Sequence, residues 1–136
     1  MPDLQQILFV SDDALHEFTR ASLEQRGFAV TVAHDLEGAY SQLLDSSFDL
    51  VMVDVAHAEN GIEFVKRLRA TPKLSKTFVL IVADWGTGQA TLALTEGADA
   101  FEPKPISTDG LIASVERLLR QRVARTATAT NTVAGE

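Results

Sequence analysis

Short apolar runs recur at regular intervals along this chain, and longer segments with the spacing of an amphipathic helix separate them. Several runs are almost continuously apolar, as are strands that are buried on both faces of a parallel sheet. The alternation of strands with helices predicts an α/β fold in which helices cover both faces of that sheet. The runs are QILFV, FAVTVA, FDLVMV, TFVLIVA and ADAFEP, at 6–10, 28–33, 48–53, 77–83 and 98–103.

The helical segments carry apolar stripes and their own end signals. Asp35 and Ser107 suit the N-cap position, where a side-chain oxygen accepts a hydrogen bond from a free backbone N–H. Gly27 and Gly97 suit the left-handed position that follows a helix. The predicted helices cover 13–26, 35–46, 60–71, 87–97 and 107–123.

Length, charge and cysteine content narrow the functional classes. We expect one domain over 1–123, and a disordered tail or the start of a linker over 124–136, which has no core-forming period. A formal charge of −7 argues against nucleic acid and anionic membranes as partners, and the absence of cysteine excludes thiol chemistry. With neither an apolar run of ~18 residues nor a recognisable secretory signal, we expect a cytoplasmic protein.

Chemically active residues follow four of the five predicted strands. The carboxyl ends of parallel strands meet at one edge of the sheet, and ligands bind there. An ionised carboxylate beside a core is unfavourable unless something pairs with it, so we expect these acids and one lysine to converge. The residues are Ser11-Asp12-Asp13, Asp54, Ala83-Asp84 and Lys104-Pro105, after the first, third, fourth and fifth strands.

These elements together resemble the receiver domain of two-component response regulators. The resemblance covers roughly residues 5–122 and rests on the order and spacing of ILFVSDD, FDLVMVD and GADAFEPKP, which is followed by an amphipathic helix. It implies a flavodoxin-like sheet of five parallel strands in the order 2-1-3-4-5.

The resemblance also implies a role for each site residue. Asp54 corresponds to the phosphoacceptor, and Lys104 to the lysine that contacts the phosphoryl group. Asp12, Asp54 and the backbone carbonyl of Ala56 correspond to ligands of Mg²⁺, a cation that prefers oxygen ligands. Pro105 corresponds to a proline that follows a cis peptide bond. Phosphoryl transfer to a carboxylate needs alignment and charge neutralisation, which these groups are suited to supply.

The first departure from the family pattern is at the end of the first strand. The family usually has two adjacent acids there, and Ser11 stands in the first place if Asp12 fills the second. A shift of one residue would make Asp12 and Asp13 the pair, but the apolar run ends at Val10, which favours the first interpretation.

The other departures concern the response to phosphorylation. Ala83 stands at a switch position where Ser or Thr is usual, and losing a hydrogen bond to a charged group costs about 1.5–3 kcal/mol. Phe101, at the second switch position, has no hydroxyl group. The loop from Asp54 to Gly61 is shorter than usual. The chain therefore resembles an atypical member of the family.

Each assignment has a simpler structural alternative. Asp54 could be a strand-end carboxylate turned to solvent, and Asp12 could only cap the first helix. Lys104 could be a surface lysine, and Phe101 could be ordinary core. Trp85, on a glycine-flanked loop, could be a partner contact or could simply cover the following helix.

Two functional hypotheses follow. In the first, Asp54 accepts a phosphoryl group from a histidine kinase or phosphotransfer protein, and the domain then changes its binding to an unknown output protein or to a second copy. In the second, the chain is a pseudo-receiver that mediates protein–protein interactions without phosphate. A nucleotide-binding domain is disfavoured because SDDALH replaces the glycine-rich turn that such domains need. We expect no enzymatic activity.

Overall fold

The computed structural model describes residues 4–11, 16–84 and 89–134, without the side chains of His16 and of 123–134. Strands and helices alternate along the whole described chain, as predicted. The strands are β1 (Gln6–Val10), β2 (Ala29–Ala33), β3 (Leu50–Asp54), β4 (Phe78–Asp84) and β5 (Ala100–Lys104). The helices are α1 (His16–Gln25), α2 (Leu36–Asp45), α3 (Ala58–Ala70), α4 (Gln89–Thr95) and α5 (Thr108–Ala134), with a short 3₁₀ turn at Pro72–Leu74.

The strands form one parallel sheet in the order β2-β1-β3-β4-β5. β2 therefore lies on one side of β1, and β3, β4 and β5 follow one another on the other side. This confirms the predicted fold class and strand order. The register pairs Asp54 with Val82 and Asp84 with Lys104, so the ends of β3, β4 and β5 lie side by side at the carboxyl edge.

Hydrophobic side chains fill both faces of the sheet. Leu8 and Val10 belong to the cluster that packs under α2, α3 and α4, whereas Ile7 and Phe9 belong to the cluster under α1 and α5. Because successive strand residues point to opposite faces, a strand covered on both sides must be apolar throughout. This accounts for the continuous apolar runs in the sequence.

The predicted end signals are confirmed. Asp35 accepts a hydrogen bond from the backbone N–H of Gly38 at 2.6 Å, and the hydroxyl of Ser107 accepts one from Gly110 at 3.0 Å. Gly27 and Gly97 have φ angles of +95° and +122°, which residues with a Cβ atom rarely adopt.

The last helix extends further than the predicted one. α5 continues to Ala134, whereas the sequence predicted a disordered tail or linker from residue 124. An existing helix lengthens without a new nucleation step, and this favours the continuation although Thr, Asn and Val, which are weak helix formers, make up six of the eleven residues in 124–134. The prediction that the domain itself ends near residue 123 stays a prediction. No helix of the described part is both long and apolar enough to cross a bilayer.

Candidate phosphoacceptor site

Asp54 lies at the carboxyl end of β3, where the chain leaves the core. Residues 50–53 are fully buried, whereas the Asp54 side chain is 20% exposed. The backbone of the next residue still belongs to the sheet, because the N–H of Val55 donates to the carbonyl of Val82 at 3.0 Å. The carboxylate is therefore held on a rigid strand and faces the sheet edge.

Lys104 reaches Asp54 from the end of β5. Its ammonium group forms an ion pair with Oδ1 of Asp54, and the Lys104 side chain is 29% exposed. Because β4 lies between β3 and β5, the lysine side chain crosses the end of β4 to make this contact. The following peptide bond, Lys104–Pro105, is cis, as the family resemblance implied. Two residues far apart in the sequence thus form one charged pair at the carboxyl edge.

Ser11 contacts the other oxygen of the Asp54 carboxylate. Its hydroxyl donates to Oδ2 at 3.3 Å, which is long for a hydrogen bond of this type. Ser11 itself is 2% exposed, and its backbone N–H donates to the carbonyl of Ala33 at 3.0 Å. The end of β1 is therefore fixed beside β3, and the two carboxylate oxygens face two different side chains.

The oxygen atoms around Asp54 fit a hard cation. Oδ1 of Asp54 is a buried atom that pairs with the Lys104 ammonium among the described residues. Among the described residues, the carbonyl of Ala56 accepts one hydrogen bond, from the N–H of Asp84 at 3.3 Å, which uses one of its two lone pairs. Mg²⁺ usually keeps several water ligands and needs only one or two carboxylates from the protein.

The described residues do not provide a full metal site by themselves. Among them, no group of three or more His, Asp or Glu side chains is close enough to hold a metal ion. Asp12, the predicted second carboxylate, lies outside the described residues, as does Trp85. Asp54 and the Ala56 carbonyl are the described candidates for holding Mg²⁺.

A cavity of about 450 Å³ opens beside Asp54. The cavity makes the carboxylate accessible to a small ligand. Residues at the end of β2 and the start of α2 form one wall of the cavity. The sequence analysis did not place them at the site, although the predicted strand order puts β2 next to β1 at this edge. The lining of the cavity includes Ser11, His34, Asp35, Glu37, Asp54, Ala56 and Asn60.

The two predicted switch positions lie close to this edge in different environments. Ala83 is completely buried at the end of β4, so it offers a methyl group and no hydrogen-bond donor. Phe101 is half-buried on β5 and packs against the cluster under α2, α3 and α4. The contact agrees with the ordinary-core alternative for Phe101 and does not test a switching role.

Gly61 explains how the short loop after Asp54 is accommodated. A Cβ atom on this residue would lie 3.1 Å from Cγ2 of Ile81, so glycine lets the first turns of α3 approach β4 closely. α3 begins at Ala58, only four residues after Asp54. The close packing holds the loop that carries the Ala56 carbonyl against the sheet edge.

Comparison with known proteins identifies the family. Residues 7–116 match the family model of the response regulator receiver domain. The transcriptional regulatory protein CpxR of Escherichia coli K12 is 38% identical over 120 residues, which are 87% of this chain and 50% of that protein. The chain thus spans about half the length of the curated relatives it matches.

Solved structures agree with this result. The receiver domain of the Francisella response regulator 1452 superposes with a TM-score of 0.78 at 28% identity, covering 86% of this chain and 98% of that one. The chemotaxis response regulator CheY4 of Vibrio cholerae, at 23% identity, shares the fold with a TM-score of 0.76 over 85% of this chain and 99% of that one. This chain belongs to the family of receiver domains of two-component response regulators.

Proposed function

We propose that this receiver domain accepts a phosphoryl group on Asp54 and passes the signal on by a change in partner binding. The observation that carries the proposal is the contact between Lys104 and Asp54, together with the cavity that Asp54 lines. A carboxylate, an ammonium group and a backbone carbonyl then lie at one edge of a rigid sheet. These are the groups that phosphoryl transfer to an aspartate needs.

In the proposed reaction, a carboxylate oxygen of Asp54 forms a bond to phosphorus as the P–N bond of a phosphohistidine donor breaks. The departing imidazole nitrogen keeps the electron pair and takes a proton from solvent. Lys104 exchanges its ion pair with Asp54 for one with a phosphoryl oxygen, which keeps its charge compensated. Bound Mg²⁺, held by Asp54, the Ala56 carbonyl and Asp12, would neutralise the remaining phosphoryl charge.

The donor follows from the family, since receiver domains interact with histidine kinases or phosphotransfer proteins. The output surface that we propose comprises α4, β5 and α5. On α4, Leu92 and Leu94 are 44% and 49% exposed, so this helix presents apolar area that a partner or a second copy could cover. CpxR is named a transcriptional regulator, and we propose that this chain too controls an output domain or protein.

Ala83 is the residue that favours a second candidate function. Without a hydroxyl at the end of β4, the phosphorylated state lacks one donor that could draw the following loop toward the phosphoryl group. A pseudo-receiver that binds its partner independently of phosphate is compatible with that feature. The two functions differ in whether Asp54 is modified and whether binding depends on it.

Labelling with acetyl phosphate and Mg²⁺ tests the proposal without a cognate kinase. Intact-mass spectrometry should show one added phosphoryl group on the wild-type domain, and none on Asp54→Asn. Asp45→Asn, a substitution at an exposed aspartate at the end of α2, should be labelled like the wild type. Equal labelling of Asp54→Asn would remove Asp54 from the role, and no labelling of the wild type would favour the pseudo-receiver.

A further inference from the structure

A second cavity lies at the amino edge of the sheet, at the opposite end of the strands from Asp54. It has a volume of about 260 Å³ and lies where the chain enters β3 and β4. Pockets that enclose a drug-sized ligand usually measure about 300–1,000 Å³, so this amino-edge cavity suits a smaller molecule. The polar side chains of its lining are three cations and three hydroxyls: Lys73, Lys76, Arg122, Ser46, Ser47 and Thr77.

The charge of this lining is opposite to that of the chain as a whole. The sequence has 19 acidic and 12 basic residues, yet no Asp or Glu of the described part lines the amino-edge cavity. The nearby Asp49 pairs with Arg122 at 2.8 Å, and its other oxygen accepts the N–H of Gln6 at 2.7 Å. Asp49 therefore compensates the charge of Arg122. Among the described residues, Lys73 and Lys76 form no ion pair, and their two positive charges remain.

Lys76 is carried by a segment with a fixed backbone. It lies between Ser75 and Thr77, just before β4 begins. The backbone carbonyls of both neighbours accept hydrogen bonds from the Arg69 guanidinium, at 3.0 and 2.7 Å. A ligand that binds beside Lys76 therefore does not have to order this segment, which lowers the entropic cost of binding.

Lys73 reaches the amino-edge cavity from the 3₁₀ turn. Its ammonium group donates to the carbonyl of Leu44, near the end of α2. An ammonium group has three N–H donors, so this contact leaves two for a ligand. The contact also holds the Lys73 side chain on the side of the cavity where Ser46 and Ser47 lie.

We propose that the amino-edge cavity binds a phosphate-type dianion, either free inorganic phosphate or the phosphate group of a small phosphomonoester. Above pH 7 such a group carries close to two negative charges, which the ammonium groups of Lys73 and Lys76 compensate. The serine and threonine hydroxyls supply further donors, and ammonium–phosphate hydrogen bonds are stronger than bonds between neutral groups. The proposal is independent of the proposed function, because the two sites lie at opposite edges of the sheet.

NMR spectroscopy locates and measures this binding in a metal-free buffer. Sodium phosphate is titrated into the isotope-labelled chain, and NaCl is adjusted to keep the ionic strength and hence the screening constant. We expect the amide signals of residues 46–48 and 73–77 to shift together and to saturate, with a dissociation constant of about 1 mM or lower. Shifts that do not saturate, or that centre on Asp54 and Lys104, overturn the proposal.

Two variants test the ammonium groups. Lys76→Gln should weaken phosphate binding at least about threefold, and Lys73→Gln combined with Lys76→Gln at least about tenfold. Both lysines are exposed, so neither substitution should prevent folding. Lys76→Gln alone also leaves the contact between Lys73 and Leu44 intact, so its effect does not depend on the end of α2. Unchanged affinity in the double variant contradicts the proposal.

The matched control is Arg26→Gln combined with Lys66→Gln. It removes two cations that are 49% and 50% exposed and lie outside the lining of the amino-edge cavity, and it changes the net charge by the same amount. Its affinity for phosphate should stay within about twofold of the wild type, because a local cluster rather than the net charge attracts the ligand. Equal weakening in this control and in the lysine double variant overturns the proposal.

A second titration distinguishes the two sources of the dianion. Methyl phosphate carries the same charged group on a small organic body. Tighter binding of methyl phosphate than of inorganic phosphate assigns the cavity to phosphomonoesters, and the reverse order or equal affinity assigns it to the free ion. Failure of both ligands to shift residues 46–48 and 73–77 overturns the proposal, whether or not Asp54 can be labelled.

Discussion

Two ion pairs of similar burial lie at opposite edges of the sheet, and their surroundings differ. At the carboxyl edge, Lys104 and Asp54 have side chains 29% and 20% exposed; at the amino edge, Arg69 and Asp99 are 23% and 16% exposed. Burial alone therefore does not distinguish a candidate reaction site from a structural pair.

The amino-edge pair belongs to a dense hydrogen-bond network. The Arg69 guanidinium, near the end of α3, donates to the carbonyls of Gly97, Ser75 and Thr77 at 2.7–3.1 Å and to Asp99 at 3.2 Å. Asp99 also accepts the N–H of Val79 at 2.9 Å. Most donors of the rigid guanidinium fork are used, so this arrangement joins α3 to the segments that precede β4 and β5.

Among the residues that the structure describes, the carboxyl-edge pair has fewer hydrogen-bond partners than the amino-edge pair. Lys104 pairs with Oδ1 of Asp54 through an ammonium group, which lacks the planar fork that fixes the direction of a guanidinium's hydrogen bonds. A cavity of about 450 Å³ lies beside this pair. The comparison indicates that many directional hydrogen bonds make a pair structural, whereas few bonds and an adjacent cavity leave a pair able to exchange partners.

The largest expected effect is at the amino edge. Arg69→Ala removes the guanidinium from Asp99 and from several loop carbonyls, and removing one partner of a mostly buried pair should lower the free energy of unfolding by about 3 kcal/mol. Urea denaturation measures this loss. Arg67→Ala is the matched control on the same helix: Arg67 is 44% exposed, pairs with Glu37 and lies over the Tyr40 ring, so about 1 kcal/mol is expected. Equal losses would contradict the structural role of the network.

Gly97 sharpens the comparison with a smaller effect. Gly97→Ala forces a side chain into a left-handed backbone conformation and places its Cβ 2.9 Å from Cγ of Arg69. Gly27 is also left-handed, but a Cβ there meets no atom within 4 Å. We expect a loss of about 2 kcal/mol for Gly97→Ala and about 1 kcal/mol for Gly27→Ala. Urea denaturation of both variants isolates the effect of the contact with Arg69. An equal loss of unfolding free energy in the two variants would show that the Arg69 side chain moves aside without destabilising the domain.

At the carboxyl edge, the larger effect should be on labelling. Lys104→Gln removes the charge proposed to compensate phosphoryl oxygens, so the rate of labelling by acetyl phosphate should fall at least about tenfold. The free energy of unfolding should change by about 1 kcal/mol or less, because Asp54 opens onto the cavity. Lys66→Gln, at a lysine paired with Glu63 on α3, should leave both quantities near the wild-type values. A stability loss as large as that of Arg69→Ala would contradict the distinction between the two edges.

The sequence predicts one edge of this sheet far better than the other. β1 matches the predicted run at Gln6–Val10, and the parallel order brings the ends of β3 and β5 together, as the positions of Asp54 and Lys104 indicated. Such inferences work because strand ends are marked by a change from apolar to polar residues, and because parallel strands align their ends.

The parts that were missed share a physical cause. Arg69 reads as a polar residue near a helix end, and most of its acceptors are backbone carbonyls, which leave no signature in the side-chain sequence. His34 and Asn60 line the cavity because of how the turn after β2 and the first turn of α3 pack against this edge. The continuation of α5 over 124–134 depends on extension of an existing helix, which an apolar period cannot reveal.

The smallest effect is expected at Ser11. Ser11→Ala removes a hydroxyl 3.3 Å from Oδ2 of Asp54, a length at which a hydrogen bond is weak, so the free energy of unfolding should fall by about 1 kcal/mol or less. Ser114→Ala, at a serine on α5 that is likewise buried, provides a reference for replacing a buried serine hydroxyl in this domain. Urea denaturation of both variants gives the difference that belongs to the Asp54 contact. A loss of more than about 2 kcal/mol beyond that reference would contradict the distinction between the two edges. A hydrogen bond of that strength would hold Asp54 in place, as the network at the amino edge holds Asp99, rather than leave Asp54 able to exchange partners.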